Sequence, residues 1–180
     1  HEGRFEEEDL ITLLREDDSV FQAYAIRALG RQKVITSIPE LKSLFLKSDN
    51  PIILIRLLEA FFEFGTVDFV DVVIQRIDNS NKKRNRKPSE NSVFDEGFII
   101  DQIIIPSLKY LQIAGNEKDE WVIRQYIDNE DSNVRWHVLV AFNKLGISLR
   151  EKEIQKIATT DKSRLVREQA SIMLSKMKKG

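Results

Sequence analysis

Hydrophobic residues recur along much of this chain at intervals of three or four positions, in segments separated by polar turns. Residues with that spacing lie on one face of an α-helix, so each stripe predicts a helix with one buried side. Three stripes are clear: Val20, Ala23, Ile26 and Leu29; Val134, Val138, Ala141 and Leu145; and Val166, Ala170, Met173 and Leu174.

Residues that begin and end helices flank these segments. The polar clusters at 16–19, 48–51, 129–133 and 159–163 supply Asp, Asn and Ser side chains, which accept hydrogen bonds from a first helical turn. Glycines 30, 65, 115 and 146 each follow a helical pattern, where a helix commonly ends in a left-handed residue. Shorter apolar segments follow at 38–45, 67–77, 121–127 and 154–158. The predicted unit is helix, turn, helix, and this context favours a helix over a strand at 69–77.

The repeat length follows from an apolar residue followed by arginine. Arg56, Arg135 and Arg167 each have Ile or Val before them, and Gln22 stands at the corresponding place in the first copy. The spacing fits a repeat of about 32 residues, with a polar insertion at about 79–93. Stacked helix pairs form an α-solenoid, because no pair buries its apolar face alone. The predicted fold is therefore an all-α, right-handed solenoid of about five helix pairs in one domain, 1–180. The first residues of the sequence are typical of a piece of a longer protein.

The segments 18–30, 49–65, 131–146 and 161–174 resemble the HEAT-repeat family, particularly its short bacterial, bilin-lyase-type form. That form has an Asp-containing turn, Val-Arg, a later Ala and a final Leu-Gly, as in DSNVRWHVLVAFNKLG at 131–146. The segment 94–115 departs from it: it has no Val-Arg pair and carries Pro106, which predicts a kink. The resemblance implies a binding scaffold more often than an enzyme.

The resemblance also implies that each arginine after the valine pairs with an aspartate of its own or the adjacent turn. The expected structural ladder consists of Arg56 with Asp49, Arg135 with Asp128 or Asp131, and Arg167 with Asp161. An alternative is that these arginines bind anions. Likewise, Trp136 and His137 could stack a base or transfer a proton, but one histidine without a nearby partner favours a structural role.

Composition limits the function classes. The chain has 28 Lys and Arg against 29 Asp and Glu, so no overall positive field favours nucleic acid. It has no cysteine and two histidines, which excludes Cys-ligated zinc and disulfides and leaves little for a His-rich metal site. Its apolar runs are too short to span a bilayer. We expect no cofactor, no metal and no catalytic residue; the compartment stays open, with the cytoplasm favoured.

Two groups of residues are candidate binding surfaces. The first is a basic loop, which has the strongest local concentration of charge in the sequence. Two interpretations stay open: a solvated loop, or a site that binds phosphates or an acidic partner. The basic loop comprises Lys82, Lys83, Arg84, Arg86 and Lys87. The second helices of a solenoid line its concave face, where Trp, Tyr and Arg make the strongest protein contacts. The candidates there are Glu40, Asp68, Asp71, Gln75, Trp121, Arg124 and Gln125.

The sequence thus predicts a monomeric, non-enzymatic scaffold that binds a protein partner. The alternative is a nucleic-acid-binding or DNA-repair-like HEAT protein that uses the basic loop and the region of Trp121 and Trp136. Salt separates the two, because binding to nucleic acid weakens steeply as counterions are added.

Overall fold

A computed structural model describes residues 6–83 and 96–177 of the chain. Within those ranges the protein is all-helical, with ten α-helices, two short 3-10 helices and no strand, which confirms the predicted all-α class. The α-helices are α1 (Glu7–Arg15), α2 (Ser19–Gln32), α3 (Ile38–Lys47), α4 (Pro51–Phe64), α5 (Val70–Lys83), α6 (Glu96–Ala114), α7 (Glu120–Arg124), α8 (Ser132–Leu145), α9 (Glu151–Thr160) and α10 (Arg164–Met177). The 3-10 turns are Ile35–Ser37 and Glu117–Asp119.

The chain divides into two compact units, His1–Tyr110 and Leu111–Gly180. In the first unit, α2 packs along α4 and against α1, while α3 packs on α4 and α5. In the second unit, α10 packs on α8 and α9, and α7 packs on α8. In each unit, helices that are two apart in the chain are thus neighbours, as helix pairs stacked side by side require.

Aromatic rings fill the core of the first unit. The rings of Phe61 and Phe69 stack with centroids 3.8 Å apart, and Phe45 meets Phe61 edge-on at 5.2 Å. Tyr110 lies 6.1 Å from Phe61, and its hydroxyl donates to the Thr66 carbonyl oxygen at 2.6 Å. Rings packed at these distances contribute beyond the apolar area that they bury.

Side-chain caps begin three of the helices as the turn clusters predict. Asp18 accepts hydrogen bonds from the first turn of α2, Asn50 from α4 and Asp131 from α8. At the other end, Gly65 and Gly146 end α4 and α8 in the left-handed conformation, with φ of 65° and 71°. Both are positions where a side chain on Cβ would be strained.

Gly30 is not a cap, which corrects the prediction for this glycine. It lies inside α2, which continues to Gln32 and ends at the left-handed Lys33. A Cβ atom on Gly30 would lie 2.8 Å from the Cβ of Ala60 in α4. The absence of a side chain at Gly30 therefore allows α2 and α4 to approach closely. Gly115 does follow its helix, α6, but its φ is not positive. It is therefore not the left-handed helix end that the sequence predicts.

Burial confirms most of the apolar stripes and corrects one. Val134, Val138 and Ala141 are buried in α8, and Val166, Ala170 and Met173 in α10. In α2 the buried positions are Ala25, Ile26 and Leu29, whereas Val20 is 72% exposed. The buried face of α2 is thus rotated from the predicted stripe.

The predicted insertion begins later than position 79, because α5 continues to Lys83. Lys82 belongs to that helix, and its ammonium lies 2.5 Å from a carboxylate oxygen of the buried Asp78. A lysine four residues after an aspartate faces it across one helical turn. Arg84, Arg86 and Lys87 lie outside the described residues.

Candidate interaction surface and arginine pairs

The first backbone hydrogen bond of four helices aligns them residue by residue. The N–H groups of Gln22, Leu54, Arg135 and Arg167 donate to the carbonyl oxygens four residues earlier, at 2.9, 3.0, 3.2 and 3.1 Å. These four residues therefore hold the same place in α2, α4, α8 and α10. The interval is 32 residues from Gln22 to Leu54 and again from Arg135 to Arg167. This agrees with the predicted period.

Arg56 does not belong to this series, which corrects the predicted ladder. It lies two residues beyond Leu54, and its Nη1 lies 2.7 Å from Oε2 of Glu59 in the same helix. Asp49, its expected partner, instead lies 3.4 Å from Nη2 of the buried Arg76. The error came from matching the apolar-Arg pair by sequence alone, because a helix that begins with Pro51 places that pair two positions later.

Arg135 joins two consecutive turns of the second unit. Its Nε and Nη2 donate to the two carboxylate oxygens of Asp161 at 2.9 and 2.8 Å. Its Nη1 donates to the carbonyl oxygens of Asn129 and Glu130 at 2.6 and 2.9 Å. The side chains of Arg135 and Asp161 are only 14% and 11% exposed. The partner is thus the aspartate of the following turn, whereas the sequence favoured Asp128 or Asp131.

Arg167 repeats half of this arrangement. Its Nη1 donates to the carbonyl oxygens of Asp161 and Lys162 at 2.6 and 3.1 Å, six and five residues earlier, as in Arg135. Asp131 caps α8 by accepting from Asn133. In the first unit, Gln22 makes a different, neutral contact, with Nε2 3.4 Å from the carbonyl oxygen of Leu14, eight residues earlier. The arginines thus brace turns by binding backbone carbonyls.

The charge state of the Arg135 pair follows from these contacts. Hydrogen bonding from Arg135 lowers the pKa of the Asp161 carboxyl, although partial burial acts in the opposite direction. The same hydrogen bond raises the pKa of the Arg135 guanidinium. Both groups are charged at neutral pH, and the fork of Arg135 is directed at Asp161. The structural interpretation of this arginine therefore fits better than an anion-binding one.

A groove of about 1050 Å³ lies beside this pair in the second unit. The turn at 128–132, helix α9 and the turn at 161–163 line it, with both signs of charge. Asp128 and Glu130 supply carboxylates, and Lys156 and Lys162 supply ammonium groups. Such a surface offers ionic contacts of both signs and has no field that favours a polyanion.

Ion pairs connect successive second helices. Arg15 of α1 pairs with Glu40 of α3, and Lys42 of α3 lies 3.0 Å from Asp71 of α5. In the second unit, Arg124 lies 2.8 Å from Glu153 of α9. Three of the predicted surface residues, Glu40, Asp71 and Arg124, are thus engaged with neighbouring helices. Arg15 was not among the predicted residues; it lies 25 residues before the acidic Glu40, a spacing close to the 29 residues that separate the other two pairs.

Arg124 is the most connected of these residues. Besides Glu153 it binds Glu120 through Nε and Nη2, at 2.8 and 2.6 Å, and its guanidinium carbon lies 5.4 Å from the centroid of the Phe142 ring. Burial acts to lower the pKa of Arg124, but the two carboxylates outweigh it and raise the pKa above the usual value. The guanidinium is therefore held in one position.

Trp121 lies three residues before Arg124 in α7 and is 52% exposed. Gln125, Asp68 and Gln75 are exposed as well. The structure brings Trp121, Arg124 and Gln125 together on α7 and its final turn. In the other unit it places Gln75 on α5 and Asp68 in the turn before that helix. We refer to Trp121, Arg124 and Gln125, with Glu120 and Glu153, as the α7 surface.

Trp136 and His137 have structural partners. The two rings meet edge-on at 4.8 Å. His137 Nδ1 lies 3.1 Å from Gln112 Nε2, which also donates to the His137 carbonyl oxygen at 3.2 Å. The contact links α6 to α8 within the second unit. It supports the structural interpretation of this cluster.

Comparison with known proteins adds no family. No family model matches the chain, and no curated protein matches its sequence. None of the helices in residues 6–83 and 96–177 is long and apolar enough to cross a membrane. Within the same ranges, no group of three or more His, Asp or Glu side chains is arranged to hold a metal ion.

Proposed function

We propose that this chain is a non-enzymatic protein-binding module, built from HEAT-like helix pairs stacked as a right-handed solenoid, and that the α7 surface binds the partner. The observation that carries this function is the exposure of Trp121, at 52%, three residues before the constrained Arg124 in the same helix. Trp and Arg are the residues that contribute most to protein interfaces.

The repeat architecture is supported by the shared register of α2, α4, α8 and α10. Equivalent backbone bonds recur at 32 residues in both units, and Arg135 and Arg167 bind carbonyl oxygens at the same offsets. A residue type that recurs with the repeat and binds the repeat's own turn serves the architecture. This leaves the residues that do not recur, such as Trp121, for recognition.

The α7 surface is suited to a protein segment. The indole of Trp121 offers apolar area, and its exposure leaves that area to be covered on binding. Arg124 is already ordered by Glu120 and Glu153, so a partner does not bear the entropic cost of immobilising it. The two carboxylates around it accept hydrogen bonds from a partner's backbone or basic side chains. We therefore expect a partner segment with an apolar side chain flanked by donors.

Capture of partners by the intact chain and by Trp121→Ala tests this function. We expect a protein partner that binds the intact chain to be lost, with a loss of binding free energy of roughly 2 kcal/mol or more at a central aromatic contact. Ile113→Ala is the matched control, because Ile113 is also in the second unit and is 67% exposed. The control should bind normally, and thermal unfolding should be unchanged in both variants.

Nuclease treatment and salt separate the alternative function. A partner that survives nuclease and depends on Trp121 supports the protein-binding module. Binding that disappears with nuclease, or with deletion of residues 82–87, contradicts it and supports nucleic-acid binding through the basic loop. A chain lacking 82–87 that still binds the partner as strongly as the intact chain places recognition on the helices.

A further inference from the structure

The shared register reveals a surface of α2 that is buried in the equivalent helices. We compare the residues that lie three and ten positions after the residue whose carbonyl accepts the first helical hydrogen bond. They are Ile53 and Ala60 in α4, Val134 and Ala141 in α8, and Val166 and Met173 in α10. All six are at most 6% exposed. In α2 the same positions are Phe21 and Ala28. Phe21 is 51% exposed, and Ala28 is half-buried.

The fold shows what covers this face in α4. Helix α2 lies on it, with Gly30 against Ala60. Phe21 is nine residues before Gly30, and at 3.6 residues per turn nine residues are two and a half turns. Phe21 therefore lies on the side of α2 opposite to α4. Tyr24, 43% exposed, and Ala28 flank it one and two turns on.

We propose that this α2 face, formed by Phe21, Tyr24 and Ala28, binds the same face of a second copy of the chain, with the two helices antiparallel about a two-fold axis. The axis passes between residues 24 and 25. This register places Phe21 of each copy over the small Ala28 of the other. A two-fold interface needs a self-complementary surface, and a large residue paired with a small one meets that need.

Charge favours the same arrangement. Helix α2 is preceded by Glu16 and Asp18 and ends near Arg31 and Lys33, and all four residues are exposed. In the antiparallel register, Asp18 of one copy faces Arg31 of the other, and Glu16 faces Lys33. Each attraction occurs twice because of the symmetry. A parallel pair would place like charges together, which disfavours it.

This dimer departs from the monomer that the sequence predicts, because burial at equivalent positions becomes known only with the fold. It uses α2 of the first unit, so it is independent of partner binding at the α7 surface. Sequence pattern alone also placed Val20 in the buried stripe, which concealed that the exposed apolar face is centred on Phe21.

Sedimentation equilibrium of the full chain, at concentrations up to about 1 mM, is the first test. We expect a monomer–dimer equilibrium for the intact protein. Phe21→Glu places two carboxylates in the interface and should raise the dimer Kd by about tenfold or more. Ile172→Glu is the matched control, because Ile172 is 49% exposed on α10, outside the α2 face, and its Kd should not change. An intact chain that stays monomeric throughout, or equal effects of the two substitutions, overturns the dimer.

A charge exchange tests the register. Glu16→Lys and Lys33→Glu should each weaken the dimer severalfold, because each substitution places like charges at two symmetric contacts. The double variant restores opposite charges and should return Kd toward that of the intact chain. Additive weakening in the double variant would overturn this register.

Cross-linking tests the orientation, since the natural sequence has no cysteine. A mixture of Glu16→Cys and Lys33→Cys chains should be joined by a short bismaleimide into heterodimers, while either variant alone should give far less product. A parallel pair predicts the reverse, with each variant cross-linking to itself. Circular dichroism of every variant checks that the helices are intact.

Discussion

Arg135 of α8 and Asp161, the residue that ends α9, form a two-point ion pair that connects one turn of the second unit to the next. The two N–H···O distances are 2.9 and 2.8 Å, and both side chains are mostly buried. Because a third nitrogen of Arg135 holds the carbonyl oxygens of its own turn, one side chain connects two turns.

Removing Arg135 should therefore destabilise the second unit. Arg135→Ala leaves the Asp161 carboxylate buried without its cation and frees two backbone carbonyls, so we expect a loss of about 2–4 kcal/mol in the free energy of unfolding. Urea denaturation followed by circular dichroism measures it. Arg135→Lys should also lose stability, because an ammonium cannot form the two-point contact.

Arg56→Ala is the matched control for Arg135. Its pair with Glu59 is exposed and lies within one helix, so we expect a change of about 0.5 kcal/mol or less. Equal losses for the two arginines would contradict the register drawn from the helix starts and would restore Arg56 to the ladder.

Asp161 should make the stability of the chain sensitive to acid. Hydrogen bonding from Arg135 places its pKa in the folded state below the unfolded value of about 3.9, so its contribution is complete above that value and is lost as the pH falls through the folded pKa. The stability difference between the intact chain and Asp161→Asn should be constant from about pH 7 to 5 and shrink below about pH 4. Thermal unfolding across that pH range measures it.

A difference that is independent of pH down to about 2.5 would show that the pair with Arg135 does not depress the pKa of Asp161. Asn at this position keeps a side-chain oxygen for the N–H of Ser163, which Asp161 accepts at 2.8 Å. The comparison therefore keeps the turn contact, while it removes both the carboxylate charge and the oxygen that accepts from Nε of Arg135.

Gly30→Ala should destabilise the first unit despite the better helix propensity of alanine. The propensity gain is about 1 kcal/mol, but the new Cβ would lie 2.8 Å from the Cβ and 2.9 Å from the Cα of Ala60. Separating α2 from α4 to relieve this should cost about 1–3 kcal/mol more than the gain. Ala60→Gly in the same chain should recover part of the loss, which a double-mutant cycle of denaturation measures. A stabilised Gly30→Ala chain would mean that the helices are not in close contact here.

The Tyr110 hydroxyl should ionise at a higher pH than an ordinary tyrosine. Burial raises the pKa of its hydroxyl to about 12. Absorbance at alkaline pH should show one tyrosine titrating near that value in the folded chain, and the step should vanish in Tyr110→Phe. Since the unfolded pKa is about 10, stability should fall between pH 10 and 12 in the intact chain and less in the variant. A late step that persists in Tyr110→Phe would assign it to another tyrosine.

Local sequence was sufficient for the helices and for several of their limits. The caps at Asp18, Asn50 and Asp131 and the left-handed ends at Gly65 and Gly146 depend on residues within one turn of each other. The period of about 32 residues depends on where helices begin, which those caps mark. These features involve interactions between near neighbours in the chain, so they can be read from a short stretch of it.

Contacts between residues that are far apart in the sequence could not be predicted from a short stretch of it. The register of α4 was misjudged by two residues, because the apolar pattern of a helix tolerates such a shift while a hydrogen-bonded helix start does not. The choice of Asp161 over Asp131 for Arg135 depends on the distance between two turns that are 26 or more residues apart in sequence.

The pattern of residues thus specified which segments are helical and that they repeat, whereas packing specified which sides of them are covered. Gly30 was predicted to end a helix and is a contact point between two helices, and Val20 was predicted to be buried and is 72% exposed. The physical reason is that hydrogen bonds within a helix join residues four apart, while burial depends on what lies against each face. Only the assembled helices determine that.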